Sequence, residues 1–111
     1  MAALKITLIT FPDIQHRAVA QFNLHLSTRK GYGIAWRPMT LESAQWRLDR
    51  VAVNYIRHQL TSYDELMTDL LTEGAARDEI MQLQRQVLAM IADLYPEVAM
   101  ECSRQGRLRG L

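Results

Sequence analysis

Residues 40–66 read TLESAQWRLDRVAVNYIRHQLTSYDEL, and the periodicity inside this stretch decides the fold class. Leu41, Ala44, Leu48, Val51, Ala52, Tyr55 and Ile56 gather on one side when successive residues are turned by about 100°. Thr40 stands where a capping hydroxyl belongs, so the pattern predicts a helix over 41–60 with its core on that side. Ser62-Tyr63-Asp64-Glu65 then has the spacing of a capping box, in which a hydroxyl and a carboxylate three residues apart close the first turn of a new helix. That helix is expected over 63–72 with Gly74 just past its end, forming a tight αα-hairpin with the first.

Working outward, Ile80, Leu83, Val87, Met90 and Leu94 recur at spacings of three and four, with Ile91 at the edge of the stripe and Gln82 and Arg85 on the opposite side. This predicts a long amphipathic helix over 75–95. The expected core sets Leu48, Val51, Ala52, Tyr55 and Ile56 against Ile80, Leu83, Val87 and Ile91. Pro96 interrupts this pattern and opens a last short helix through Ser103. On the other side, Leu4, Ile6 and Leu8 alternate with Lys5 and Thr7, which predicts a strand over 4–10 ended by Pro12-Asp13.

Residues 13–27 carry two periods. Ile14, Ala18, Phe22 and Leu26 fall four apart, whereas Phe22, Leu24 and Leu26 also alternate with Asn23 and His25. Pro12 and Asp13 favour a helix, because both suit a first helical turn. The alternative is a strand at 21–27 paired through a turn at 28–33 with a second short strand at 32–37, where Tyr32, Ile34 and Trp36 alternate. The fold class is therefore mainly α: a small helical domain of three to four helices around the central helix 41–60, with a short N-terminal β element. An α+β arrangement with a small two- or three-stranded sheet is the alternative. There is no internal repeat and no low-complexity linker, so residues 1–111 are expected to form a single domain.

Composition bounds the function classes. The 111 residues are 49% hydrophobic and 23% charged, which belongs to globular rather than disordered chains. A single cysteine, Cys102, excludes an intrachain disulfide and any zinc site built from several thiolates, and suits a reducing compartment. The opening apolar run is short and interrupted by Thr7 and Thr10, unlike a signal peptide, and nothing reaches membrane-spanning length, so a cytoplasmic protein is expected. His16, His25 and His58 are scattered without metal-ligand spacing, and Gly31-Tyr32-Gly33 lacks the remainder of a nucleotide-binding fingerprint. Neither a metal nor a cofactor is expected.

Net charge is +1, but it is segregated along the chain. Residues 1–60 hold eight bases against three acids, residues 61–101 hold nine acids against Arg77 and Arg85, and residues 102–111 add Arg104, Arg107 and Arg109 without an acid. Such asymmetry suits either a face for anions or two halves that neutralise each other on packing. The arginine-rich tail is accordingly expected to dock on the acidic segment.

Helix 41–60 carries the most pointed candidate site. Arg47, Arg50, Asn54 and Arg57 are spaced by three, four and three, and Ser43 and His58 project into the same sector with no acid among them. Arginines in a row on a rigid helix suit bidentate contacts to phosphates or carboxylates. The leading expectation is a small non-enzymatic binding or interaction module, with Arg47, Arg50, Asn54, Arg57 and His58 contacting an anionic partner, either nucleic acid or an acidic protein surface. The same residues also suit a solvated face, or internal pairing with the acids of 63–79. A helix-turn-helix reader is disfavoured, because its second helix would carry Asp64, Glu65, Asp69 and Glu73 without one base.

Two further readings compete. Met67, Met81, Met90 and Met100 all lie in the acidic half, which fits a structural protein forming homo-oligomers through helices 63–95. The junction 54–64 gathers Arg57, His58, Tyr63 and Asp64, which would serve a small enzyme if a concave pocket contained His58. Its bland alternative is a capping junction in which Thr61 and Ser62 cap and Arg57 pairs with Asp64. Cys102, with Arg104 nearby, is either a lowered-pKa thiol or a packed one.

Overall fold

A computed structural model describes residues 3–28, 40 and 45–111. Most of the turn expected at 28–33, the second strand at 32–37, the opening turn of the central helix at 41–44 and Ser43 lie outside the described residues. Among the described residues the protein is mainly helical. Its elements are α1 (Phe11–Thr28), α2 (Gln45–Tyr55), a π turn (Ile56–Leu60), α3 (Tyr63–Thr72), α4 (Arg77–Leu94), a 3-10 turn (Pro96–Val98) and α5 (Ala99–Leu108).

Thr10 starts α1: its hydroxyl accepts from the Asp13 amide at 3.4 Å and its carbonyl from the Ile14 amide at 3.0 Å. Pro12 falls in the first turn, where a missing N–H leaves no bond unmade. The helix continues through 21–27, so the alternative strand there, with the small sheet it implied, does not form. The four-residue period prevails because Ile14 and Ala18 are buried as α1 packs along α2.

The strand expected at 4–10, the N-terminal β element, is also not formed. Among the described residues the segment makes a single antiparallel bridge, Ile6 with Thr61. The Thr7 amide donates to Leu60 O at 2.7 Å and the Ser62 amide to Lys5 O at 3.0 Å. The physical reason lies in its partner: between the π turn and α3 only Thr61 is extended (φ −121°, ψ 165°), so there is one residue's worth of ladder to join. The capping box gives way to the same contact. Ser62 Oγ accepts from the Lys5 amide at 2.9 Å and its own amide donates to Lys5 O, so neither half of the box is left for Glu65.

The core is one cluster. Ala52, Val53, Ile56 and Leu60 meet Leu83, Val87, Leu88 and Ile91 of α4, with Ile14, Tyr63, Tyr95, Val98 and Cys102 around them. Leu48 is buried as well, while Val51, Tyr55 and Ile80 are only half-buried. The buried arc of α2 is thus centred nearer Val53 than the expected stripe through Val51. Tyr95 fastens the N-terminal segment to this core: its hydroxyl donates to Ile9 O at 2.7 Å and accepts from the Ile9 amide at 3.3 Å.

α3 packs on α4 and on the π turn. It ends in a Schellman motif, with Gly74 at φ +71°, the Ala75 amide on Leu70 O and the Gly74 amide on Leu71 O. α5 ends the same way at Gly110 (φ +72°), with the Leu111 amide on Gly106 O. The last helix therefore runs past Ser103 to Leu108, and the tail is folded along α4, with Leu111 packed against the core. No helix among the described residues is long and apolar enough to cross a membrane.

Leu48→Ala and Ile91→Ala are each expected to lower the unfolding free energy by about 2–5 kcal/mol in a urea titration. A loss below about 1 kcal/mol at Leu48 would place α2 outside the core. Tyr95→Phe, which deletes both bonds to Ile9, is expected to cost about 1–2 kcal/mol and to raise amide exchange at Ile9.

Candidate functional site at the α2–α3 junction

The candidate residues divide at the π turn. Arg47 and Arg50 on α2 are exposed, Asn54 is half-buried and His58 is exposed. Arg57 is not on the surface: only 5% of it is accessible. It stands one turn after Val53, which is fully buried, so the inner edge of the helix carries it inward. The Arg47–Arg50–Arg57 stripe expected from a uniform helix is thereby reduced to two exposed arginines and one buried one.

Arg57 is held by neutral partners. Nη1 donates to Gln105 Oε1 of α5 at 3.3 Å, and Nη2 donates to Asn54 Oδ1 at 3.1 Å. Gln105 Nε2 donates to the same Asn54 oxygen at 3.4 Å, closing a three-membered network. The guanidinium carbon lies 5.7 Å from the centroid of the Tyr63 ring, a cation–π distance. Nε is buried and has no partner among the described residues, and no carboxylate among them lies within ion-pair distance of Arg57. Burial pulls its pKa down, with the like charge of Arg109 adding to the effect, while Tyr63, Asp64 and Cys102 act in the opposite direction.

His58 and Asp64, six residues apart, do meet. Nδ1 lies 2.7 Å from Asp64 Oδ1, with side chains 43% and 55% exposed. His58 Nε2 lies 3.4 Å from Arg57 Nη2. A guanidinium only donates, so the tautomer that accepts from it at Nε2 is the one whose ring proton is on Nδ1, facing Asp64. The expected Arg57–Asp64 ion pair is therefore replaced by an Arg57–His58–Asp64 relay. Thr61 completes the junction: its hydroxyl donates to Arg57 O at 2.5 Å and accepts from the Tyr63 amide at 3.1 Å.

A cleft of about 400 Å³ opens between α1 and this junction, and Phe22, Val51, Asn54, Tyr55, His58 and Asp64 line it. A pocket containing His58 thus exists. Its walls mix the apolar faces of Phe22 and Val51 with the amide of Asn54 and the His58–Asp64 pair.

Elsewhere on α5, Glu101 is buried and receives Arg104 Nε at 2.9 and 3.1 Å on its two oxygens. Arg107 and Arg109 are exposed. The tail arginine nearest the acidic segment is thus satisfied within α5 itself. Cys102 is a packed thiol: burial first, then Glu101, pushes its pKa up to about 11, and Arg57 lowers it by less. No known family model, characterised protein or solved structure matches the chain.

Asn54→Ala removes an acceptor from a buried cation and is expected to cost about 1–3 kcal/mol, read from denaturant midpoints. Cys102 should resist alkylation in the native protein at pH 8 and react at the free-thiol rate once unfolded. Because its folded pKa is raised, its contribution to stability is complete below pH 9 and should be lost between pH 9.0 and about 11. A Cys102→Ala variant lacking that part of the alkaline loss identifies the group.

Proposed function

We propose that the protein is a non-enzymatic binding module that holds an anionic partner, the phosphate backbone of a nucleic acid, along the exposed side of α2. Arg47 and Arg50 supply the outer contacts, and Asn54 and His58 continue the same line into the cleft. Arg47 to Asn54 spans about 10 Å at 1.5 Å per residue, enough to reach more than one phosphate. The observation that carries the reading is Arg57: a guanidinium behind that line, with no carboxylate partner among the described residues, leaves positive potential that an approaching anion would meet.

A binder is preferred to a catalyst because of where the His58 nitrogens point. Nδ1 is engaged by Asp64 and Nε2 by Arg57, so a proton taken up at Nε2 would face a guanidinium at 3.4 Å. A general base needs its free nitrogen within reach of substrate, not of a second cation.

The Arg47→Glu, Arg50→Glu double variant tests the proposal: both side chains are exposed, and a melting curve checks that the variant is folded. Binding of labelled single-stranded and duplex oligonucleotides is expected to fall at least tenfold and to lose part of its salt dependence. A parent protein that binds neither oligonucleotide at low ionic strength, or a variant that binds equally well, overturns it. Binding to an acidic peptide but not to oligonucleotides would assign the same face to a protein partner instead.

A further inference from the structure

On a different face from α2, a groove of about 680 Å³ runs between α3 and α4. α3 contributes Leu66, Asp69 and Leu70 to it, its C-cap contributes Glu73, and α4 contributes Glu79, Gln82, Leu83 and Gln86; Leu4 of the N-terminal segment also lines it. These spacings of three and four are what two helices present when each turns one face to a shared channel. We propose that this groove docks a basic amphipathic segment of a partner protein, with leucine-type side chains on its floor and lysine or arginine at one end.

The floor is aliphatic: Leu4, Leu66 and Leu70 are half-buried against the core, and Leu83 is buried beneath them. The charge on the rim has one sign. Asp69, Glu73 and Glu79 line the groove with no lysine or arginine among its lining residues, and none of the three carboxylates is in an ion pair among the described residues. Lys5, Arg77 and Arg85 are the bases closest in sequence to lining residues; none of them lines the groove, and Arg77 lies about 160° around α4 from Glu79.

The carboxylates are also unevenly placed. Glu73 follows α3 and Glu79 lies in the first turn of α4, so both flank the turn at Gly74, whereas the lining residues Leu4 and Gln86 carry no charge. The occupant is therefore oriented, with its bases over the Gly74 turn and its apolar residues toward Leu4. Helix-in-groove recognition uses this combination of apolar anchors for affinity and end charges for register.

The test uses a synthetic helix-forming peptide with leucines at i, i+3 and i+7 and arginines at one end, and a second peptide with the same leucines but glutamates for arginines. Titration against the intact protein is followed by amide chemical shifts and calorimetry. The basic peptide is expected to bind, to shift residues of α3 and α4 rather than α2, and to weaken at least tenfold in the Asp69→Lys, Glu73→Lys, Glu79→Lys variant. That variant alters exposed positions, and its melting curve checks the fold. Leu70→Ser, half-buried on the floor, should weaken both the basic peptide and any residual binding of the acidic one. The proposal is overturned if neither peptide binds, if both bind alike, or if the charge-reversed variant binds the basic peptide undiminished. It is equally overturned if the protein alone shows a concentration-dependent mass that the triple variant abolishes, because the groove would then belong to a second copy of the chain. These outcomes are independent of oligonucleotide binding at Arg47 and Arg50.

Discussion

Burying a guanidinium among neutral groups constrains everything around it. Arg57 carries five N–H donors on a charge whose transfer out of water costs several kcal/mol, and no carboxylate among the described residues offsets that cost by pairing. Neutral acceptors attract a cation more weakly than a carboxylate does, so they have to be delivered by the fold. Asn54 comes from the preceding turn of α2, Gln105 from α5, and the Tyr63 ring from the first residue of α3. Three helices are therefore positioned around one side chain. The Thr61 hydroxyl adds the backbone half of the arrangement, tying Arg57 O to the Tyr63 amide and so setting how far α3 stands from the end of the π turn.

That dependence also explains what the amino-acid sequence shows of the site and what it hides. The helix over 75–95 is legible because its apolar residues recur every three to four positions, the helix over 13–27 competes there with an alternation, and the helix over 63–72 is legible from its end signals, Ser62 and Gly74. Gly74 is legible because a left-handed residue is needed there. Arg57 is misplaced by a straight projection for two reasons. The helix changes pitch at Ile56, and the stripe through Val51 hides the deeper burial of Val53, whose i+4 neighbour is Arg57. A core arc drawn through Ala52, Val53 and Ile56 would have turned Arg57 inward. Gln105, the partner of Arg57, is missed because arginine and glycine after Ser103 read as a helix end, whereas Gly106 is carried inside α5 and only Gly110 ends it.

The N-terminal strand and the capping box fail together, and for one reason. Each reading finds groups that pair: Ile6 forms an isolated antiparallel bridge with Thr61, and Ser62 is the N-cap residue of α3. Neither pattern reveals that the two will satisfy each other. Lys5 uses the amide and hydroxyl of Ser62, so a bond pattern expected within one helix is made across more than fifty residues of chain. A polar group's partner is a property of the fold, while its need for a partner is a property of the residue.

The charge segregation is the feature least consumed by folding. Had the basic and acidic halves packed to neutralise each other, the acids of α3 and the start of α4 would meet the arginines of α2 or of the tail. Instead Asp64 is taken by a histidine and Arg104 by Glu101 within its own helix, while Glu65, Asp69, Glu73, Asp78 and Glu79 are in no ion pair among the described residues. Exposed ion pairs stabilise by at most about 1 kcal/mol, so little stability is forgone by leaving these charges apart. What remains is an acidic α3–α4 groove whose three carboxylates, Asp69, Glu73 and Glu79, are in no ion pair among the described residues. Such an arrangement gains little for the isolated fold, and its electrostatic field acts chiefly on whatever approaches from outside.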